Sequence, residues 1–334
     1  MSHVLLAGVV ALLISILLGS KFISFLRRNE FGQHIREEGP RHHISKQGTP
    51  TMGGLLILLA ASIGFLAFST YTVPALAVLF VTLGCGAIGF LDDFIKLTHR
   101  RSLGLNGRWK LILLGLITVG VGIAVRHQDI PTSVYVPGIG DIQLSYAYYG
   151  LLFLVIAGTA NGVNLTDGID GLASGTGIIA LFTFAAMNVI AWIRSGRPGH
   201  RFETKLDLAI IAAALIGATV GFLWFSVFPA DVFMGDTGAM AIGGALATFA
   251  IFTKTIFLLL LIGGIFVIEA LSVIIQVFTF KYLGRRVFLM APVHHHFEMK
   301  AWSETKIMVR FWIVTGILCA IAFALYYRYF TGFR

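Results

Sequence analysis

Ten apolar runs separated by short polar connections constrain this chain more than anything else in it. They are Val4–Phe25, Gly53–Thr70, Pro74–Leu91, Leu111–Val125, Tyr146–Ala160, Ser174–Ile193, Leu208–Phe225, Met240–Phe252, Ile256–Phe278 and Ile307–Tyr327. A helix needs roughly 20 apolar residues to cross a hydrocarbon core. Most of the runs come close, while the fourth and eighth fall short. Thr253-Lys254-Thr255, between the eighth and ninth, reads as a loop or as a kink. Only 12% of the 334 residues are charged, about half the share of a soluble domain. That is too little to cover a water-facing globule, which excludes a cytosolic enzyme, a secreted disulfide scaffold and a disordered chain. The expected fold is an all-α integral membrane protein of about ten transmembrane helices in one domain, 1–334. Cys85 and Cys319 lie inside apolar runs and read as core residues. No basic stretch precedes Val4, so no cleavable signal peptide is expected.

With ten spans, every second loop shares a side, and basic residues identify which. Arg27, Arg28, Arg36, Arg41 and Lys46 follow the first span. Lys96, Arg100, Arg101, Arg108 and Lys110 follow the third, and Lys281, Arg285, Arg286, Lys300 and Lys306 follow the ninth. The opposite side has Arg126, Lys254, Arg328 and Arg334, plus one dissenting loop with Arg194, Arg197, Arg201 and Lys205. Basic loops stay in the cytoplasm, which places both termini outside. The basic residues flank membrane spans, so they point to anionic membrane lipids rather than to nucleic acid. On the outer side, Thr132–Ser145 alternates around Pro-Gly-Ile-Gly and predicts a small β-hairpin.

Six acids fall in three otherwise apolar loops on the inner side: Asp92 and Asp93, Asp167 and Asp170, Asp231 and Asp236. Acids at the rim of a membrane domain are costly unless they face water, a cation or a partner. The Asp92-Asp93 pair could hold a divalent cation that relieves its repulsion, but taken alone it reads first as a solvated helix end beside Lys96. Asn161-Gly-Val-Asn-Leu-Thr-Asp-Gly-Ile-Asp-Gly171 is more specific. Asp167 and Asp170 would share one face of a helical turn, and Asn164 and Thr166 add polar groups. With no local Lys or Arg, the segment calls for an external cation. Asp236, in Met-Gly-Asp-Thr-Gly, begins the eighth span and by itself could simply cap it. Phe233 in the same loop could stack on a flat ring.

His294, His295 and His296 form a run flanked by Arg285, Arg286 and Lys300, which reads as an anion-contacting pocket rather than a zinc site. Lys46 and Thr51, around a Gly-Thr-Pro turn, could bind phosphate. Together these groups describe a cleft with carboxylates for a divalent cation and bases for anions, as phosphoryl transfer requires. A cleft at the membrane surface suggests a lipid phosphate as one substrate. The rival reading from another class is a secondary transporter, because Glu269 lies deep in the ninth span. A transporter, however, concentrates its acids near the midplane, and the other candidates sit at one face.

The segments GTPTMGG (48–54), LDDFIK (91–96), NLTDGIDGL (164–172), FPADVFMGDTG (228–238) and APVHHHFE (291–298) together resemble the family of phospho-N-acetylmuramoyl-pentapeptide transferases (MraY), within the polyprenyl-phosphate N-acetylhexosamine-1-phosphate transferase superfamily. The resemblance implies a homodimer in the bacterial inner membrane. It implies transfer from UDP-MurNAc-pentapeptide to undecaprenyl phosphate, giving lipid I and UMP, with Mg²⁺. A GlcNAc-1-phosphate transferase is the near alternative, and the PTMGG and HHH elements favour the first. By motif, Asp92, Asp93, Asp236 and His294 carry over as catalytic, and Asp236 and Asp167 as metal ligands. Lys46, Thr51, Asn164, Asp167, Asp170, Phe233, His295 and His296 carry over as substrate-binding. Ser226 stands where the family usually has Asn. Two mechanisms are implied: direct attack by the lipid phosphate after an aspartate, taken as Asp93, accepts its proton, or a covalent phospho-enzyme. A lipid phosphate loses its second proton near pH 6–7 by analogy with phosphoserine, roughly, so a weak base suffices and direct attack is preferred.

Overall fold

The computed structural model describes residues 1–29, 48–99, 104–196 and 203–330. In chain order it contains α1 (Ser2–Arg28), α2 (Gly54–Phe68), α3 (Val73–Thr98), α4 (Gly107–His127), β1 (Ser133–Val136), β2 (Gly140–Gln143) and α5 (Ala147–Thr166). Then come α6 (Leu172–Arg194), α7 (Glu203–Ser226), α8 (Gly235–Phe252), α9 (Ile256–Ile262), α10 (Gly264–Leu283), α11 (Val293–Glu298) and α12 (Glu304–Phe330). Among the described residues, nine helices are long and apolar enough to cross a membrane, and α2 is a shorter apolar helix of 15 residues. The all-α membrane architecture is therefore as the apolar runs require.

The fourth and eighth runs, expected to fall short, lie in helices long enough to span, α4 with 21 residues and α8 with 18. Two further boundaries differ from the sequence expectation in ways that bear on the site. The ninth run is not one helix: it breaks at Gly263, so α9 is a two-turn piece and α10 starts at Gly264. The third run does not end at Leu91. Helix α3 continues through Asp92, Asp93 and Lys96 to Thr98, so this acid pair lies on a helix and not in a loop.

Helix α8 is the axis of the bundle. Every residue from Thr237 to Phe252 is buried, and α3 and α5 pack along it. A helix hydrophobic on all sides must lie inside the protein; its Gly, Ala and Thr content also permits close approach, as is common where membrane helices meet. Helices α1 and α7 pair by the same device. The buried face of α1 is Ala7, Ala11, Ser15 and Gly19, a Cβ on Gly217 would lie 2.0 Å from the Gly8 carbonyl, and the Ser15 hydroxyl donates to the Ala218 carbonyl at 3.0 Å.

The predicted hairpin forms, antiparallel, with Ser133 opposite Gln143 and Val136 opposite Gly140. Lys254, in the turn after α8 with φ +59°, donates to the Pro131 carbonyl at 2.7 Å and to the Ser133 carbonyl. The hairpin is thereby fixed at the C-terminal end of α8, about 27 Å along an 18-residue helix from its N-terminus. At that same end of the bundle Asp207 of α7, fully buried, accepts from the Ser69 hydroxyl, the amides of Thr70 and Thr72, and the Thr72 hydroxyl at 2.8–3.0 Å. This binds the α2–α3 turn to α7.

Candidate active site

Three chain segments meet at the N-terminus of α8. Gly235 takes φ +72°, a conformation glycine adopts without strain, and a Cβ there would lie 2.6 Å from Asp93 Oδ2 and 2.8 Å from the Thr51 hydroxyl. The segment before α8 is laced to the segment before α2: the Phe233 amide donates to Pro50 at 2.8 Å, and the amides of Gly53 and Gly54 donate to Phe233 and Met234 at 2.9 Å. Thr51 and Phe233 thus sit side by side, Thr51 buried and Phe233 half-buried.

Asp93 comes from α3 to complete this helix start. Its two oxygens accept from the amides of Asp236 and Thr237 and from the Thr237 hydroxyl at 3.2, 3.0 and 2.8 Å. A helix leaves its first amides unsatisfied, and here a carboxylate from another helix serves them, with the helix dipole adding to the attraction. Asp93 is the cap, and Asp236 is free to point elsewhere.

Asp236 points at two lysines. Lys96 and Lys110 approach its carboxylate at 3.1 Å each, and they reach Asp92 at 2.6 and 2.9 Å. Asp92 also accepts the Leu105 amide at 2.7 Å, which fixes the start of α4 against α3. Asp92 and Asp93 are 1% and 4% exposed, so they are not a solvated helix end. Oxygens of Asp92, Asp93 and Asp236 all lie within 4.8 Å of one another.

Asp167 joins from the C-terminus of α5. Burial and the carboxylates of Asp236, Asp93 and Asp170 push it up to about 8, a rise that the Gly235 backbone amide partly offsets. No ion pair to Asp167 is found among the described residues. Asp92, Asp93 and Asp236 share two ammonium groups, Asp167 adds a further carboxylate near them, and a divalent cation would balance the remainder. The donors are all oxygen, the preference of Mg²⁺, so the residues fit such an ion.

Other expected groups are placed differently. Asp170 does not share a helical face with Asp167; it is buried and accepts the Ala230 amide at 3.1 Å, steadying the segment that leads to α8. Asp231 stays outside the cluster, exposed and paired with Arg27 at 3.2 Å. Asn164 is half-buried in the last turn of α5. Lys46 lies outside the described residues. His295 meets Glu298 at 2.5 Å, and His296 accepts the Leu289 amide at 3.1 Å. Burial and nearby Lys300 hold His296 below its usual range. His294 is fully buried, and its Nδ1 faces Glu269 at 3.1 Å. The deep acid of α10 thus belongs to this end of the molecule. The sequence reading gave Lys96 and Lys110 no catalytic part, and it left Thr237 out. Lys96 lies three and four residues after the acid pair, a spacing that brings side chains together on a helix. Nothing local marks Lys110 or Thr237.

Residues 75–254 match glycosyl transferase family 4, and residues 46–58 match signature 1 of the phospho-N-acetylmuramoyl-pentapeptide-transferases. A phospho-N-acetylmuramoyl-pentapeptide-transferase of Rubrobacter xylanophilus is 46% identical over 98% of both chains. That of Geobacillus sp. is 48% identical over 95% of both, and that of Bacillus subtilis 46% over 92% of this chain and 93% of its own. With a family match across more than half its length and such relatives across nearly all of it, the chain belongs to glycosyl transferase family 4 and, within it, to the phospho-N-acetylmuramoyl-pentapeptide-transferases.

Proposed function

We propose that the protein transfers phospho-N-acetylmuramoyl-pentapeptide from its UDP conjugate to undecaprenyl phosphate, producing lipid I and UMP in the membrane step that begins the lipid stage of peptidoglycan synthesis. The observation that carries this reading is the convergence of Asp92, Asp93 and Asp236 on Lys96 and Lys110, with the Asp167 carboxylate close enough to feel Asp93 and Asp236, at one end of a membrane bundle. Carboxylates for a cation and ammonium groups for anions are what a pyrophosphate-cleaving site needs. The excess of basic residues in the loops on this side supports placing it in the cytoplasm, with both termini outside, in the bacterial inner membrane. The family resemblance supports a homodimer.

Asp236 and Asp167, with Asp92 beside them, would hold Mg²⁺. When bound, the ion would supply charge neutralisation on the pyrophosphate oxygens. Lys96 and Lys110 neutralise the carboxylates and remain able to meet phosphate oxygens. Lys46 and Thr51 contact the phosphates, Phe233 stacks on the uracil, and Asn164 and Asp170 border the nucleotide. His295 and His296 face the sugar-peptide. In the chemical step an oxygen of the lipid phosphate forms a bond to the β-phosphorus of the UDP conjugate. The bond from that phosphorus to the bridging oxygen breaks, and UMP leaves with the electron pair. Asp93 holds α8 and Asp236 through the hydrogen bonds its oxygens accept. Its Oδ1, which among the described residues accepts only the Asp236 amide, keeps a lone pair for the proton of a monoanionic lipid phosphate. A largely dianionic lipid phosphate needs no strong base.

Purified protein in detergent, given labelled UDP-MurNAc-pentapeptide, undecaprenyl phosphate and Mg²⁺, should form labelled lipid and UMP in equal amounts. Absence of both products with active substrates overturns the reading. Turnover of UDP-GlcNAc in preference would move it to the GlcNAc-1-phosphate transferases.

A further inference from the structure

Glu269 is a fully buried acid in the apolar helix α10, and the chemistry above makes no use of it. It is 0% exposed, as is His294, the residue it meets. A carboxylate without compensation in such surroundings is expensive. His294 turns Nδ1 to Glu269 Oε1 at 3.1 Å. The other ring nitrogen, Nε2, is buried and has no hydrogen-bond partner among the described residues. It lies against Gly168, where a Cβ would come within 2.3 Å of it. Gly168 follows Asp167 and precedes Asp170, so the imidazole stands directly behind the acidic turn.

Apolar packing ties this arrangement to the acidic turn. Ile169 and Leu172 of the acidic segment form a small apolar cluster with Ile265 of α10, Val293 of α11, and Ile307 and Phe311 of α12. Glu269 lies one turn beyond Ile265, and His294 follows Val293. The pair is therefore a polar strut next to an apolar cluster that joins the acidic turn to the last three helices.

We propose that Glu269 and His294 act as positioning residues: the carboxylate fixes the imidazole ring, and the ring sets Gly168 and so the placement of Asp167 for the metal-nucleotide complex. His294, being fully buried, then acts through the turn and not by touching the substrate. Glycine is required at 168 because a side chain would displace the ring. The proposal rests on the transferase reading, but it fails separately. If the unsubstituted protein releases no UMP, that reading is lost; if it turns over normally, the variants below decide the strut.

The test is a double-mutant cycle in the full chain, reading kcat/KM for UMP release and the Mg²⁺-UMP-induced rise in Tm. Glu269→Gln and His294→Ala should each lower kcat/KM about 10–100-fold, the size seen when a group that orients a ligating residue is lost. The double variant should be no worse than the more damaged single one. Gly168→Ala should show the same loss, and adding His294→Ala to it should cause no further drop. The Mg²⁺-UMP shift should shrink in every variant, which a role in folding alone does not require. Losses that multiply, or a Glu269→Gln protein with unchanged kcat/KM and unchanged shift, overturn the proposal. If Glu269→Gln does not fold, Glu269→Asp takes its place in the cycle: it keeps the charge but shortens the reach, so the strut demands the same coupled loss and independence again refutes it.

Discussion

At the scale of single residues, the site is a problem of unbalanced charge. Asp236 takes an ammonium group on each oxygen, while Asp167 has burial and three neighbouring carboxylates against it. Removing the charge of Asp236 with Asn should therefore reduce Mg²⁺-dependent UMP release by about 100-fold or more, with the fold retained as judged by Tm. Asp167 gives a second expectation. Its pKa is raised from 3.8 to about 8 in the folded protein, so the folded state binds more protons than the unfolded state between those values. Stability of metal-free protein should then fall as pH rises from about 4 to about 8. In EDTA, Asp167→Asn should flatten that fall and raise Tm at pH 8, while abolishing activity with Mg²⁺. A variant that is no more stable than the parent at pH 8 would mean that the turn carries its charge without penalty.

At the scale of elements, the ends of helices carry the specificity and their lengths do not. Helix α8 begins where it does because Asp93 from α3 caps it, and α7 is tied to the α2–α3 turn by Asp207. Asp207 lies far from the carboxylate cluster and receives four hydrogen bonds while fully buried. Asp207→Ala leaves those donors unserved and should cost about 3 kcal/mol in reversible unfolding, with kcat of the surviving folded fraction little changed. The sequence made both acids visible only as charges near span ends. The LDDFIK segment read alone favoured a solvated terminus, because the amides that need Asp93 lie 143 and 144 residues further on. The break at Gly263 was hidden for a related reason. A Gly-Gly pair in an apolar run does not say whether neighbouring helices will bend it.

At the scale of the whole molecule, the acidic cluster and the β-hairpin occupy opposite ends of α8, so they must face opposite sides of any bilayer that α8 crosses. Single cysteines make this testable in a background lacking the native pair, both of which are buried. Gly138→Cys at the hairpin tip should react with a membrane-impermeant maleimide on intact spheroplasts. Arg285→Cys, in the exposed connection between α10 and α11, should react only after permeabilisation. Labelling of both from the same side would contradict a bundle that spans once per long helix.

The sequence by itself determined the solvent this protein lives in, its helical class, the hairpin, and nearly every residue type its chemistry needs. These follow from local quantities, namely the length of apolar runs, their charge content and the turn residues between them. Only the tertiary structure decided which charges meet. It drew Lys110 into the carboxylates, sent Asp231 away to Arg27, turned Asp93 into a helix cap, and set Glu269 behind His294. Apolar helix faces are nearly interchangeable as sequence patterns. The partner of a distant side chain is fixed by how small residues let particular helices close on each other, and that is a property of the packed bundle.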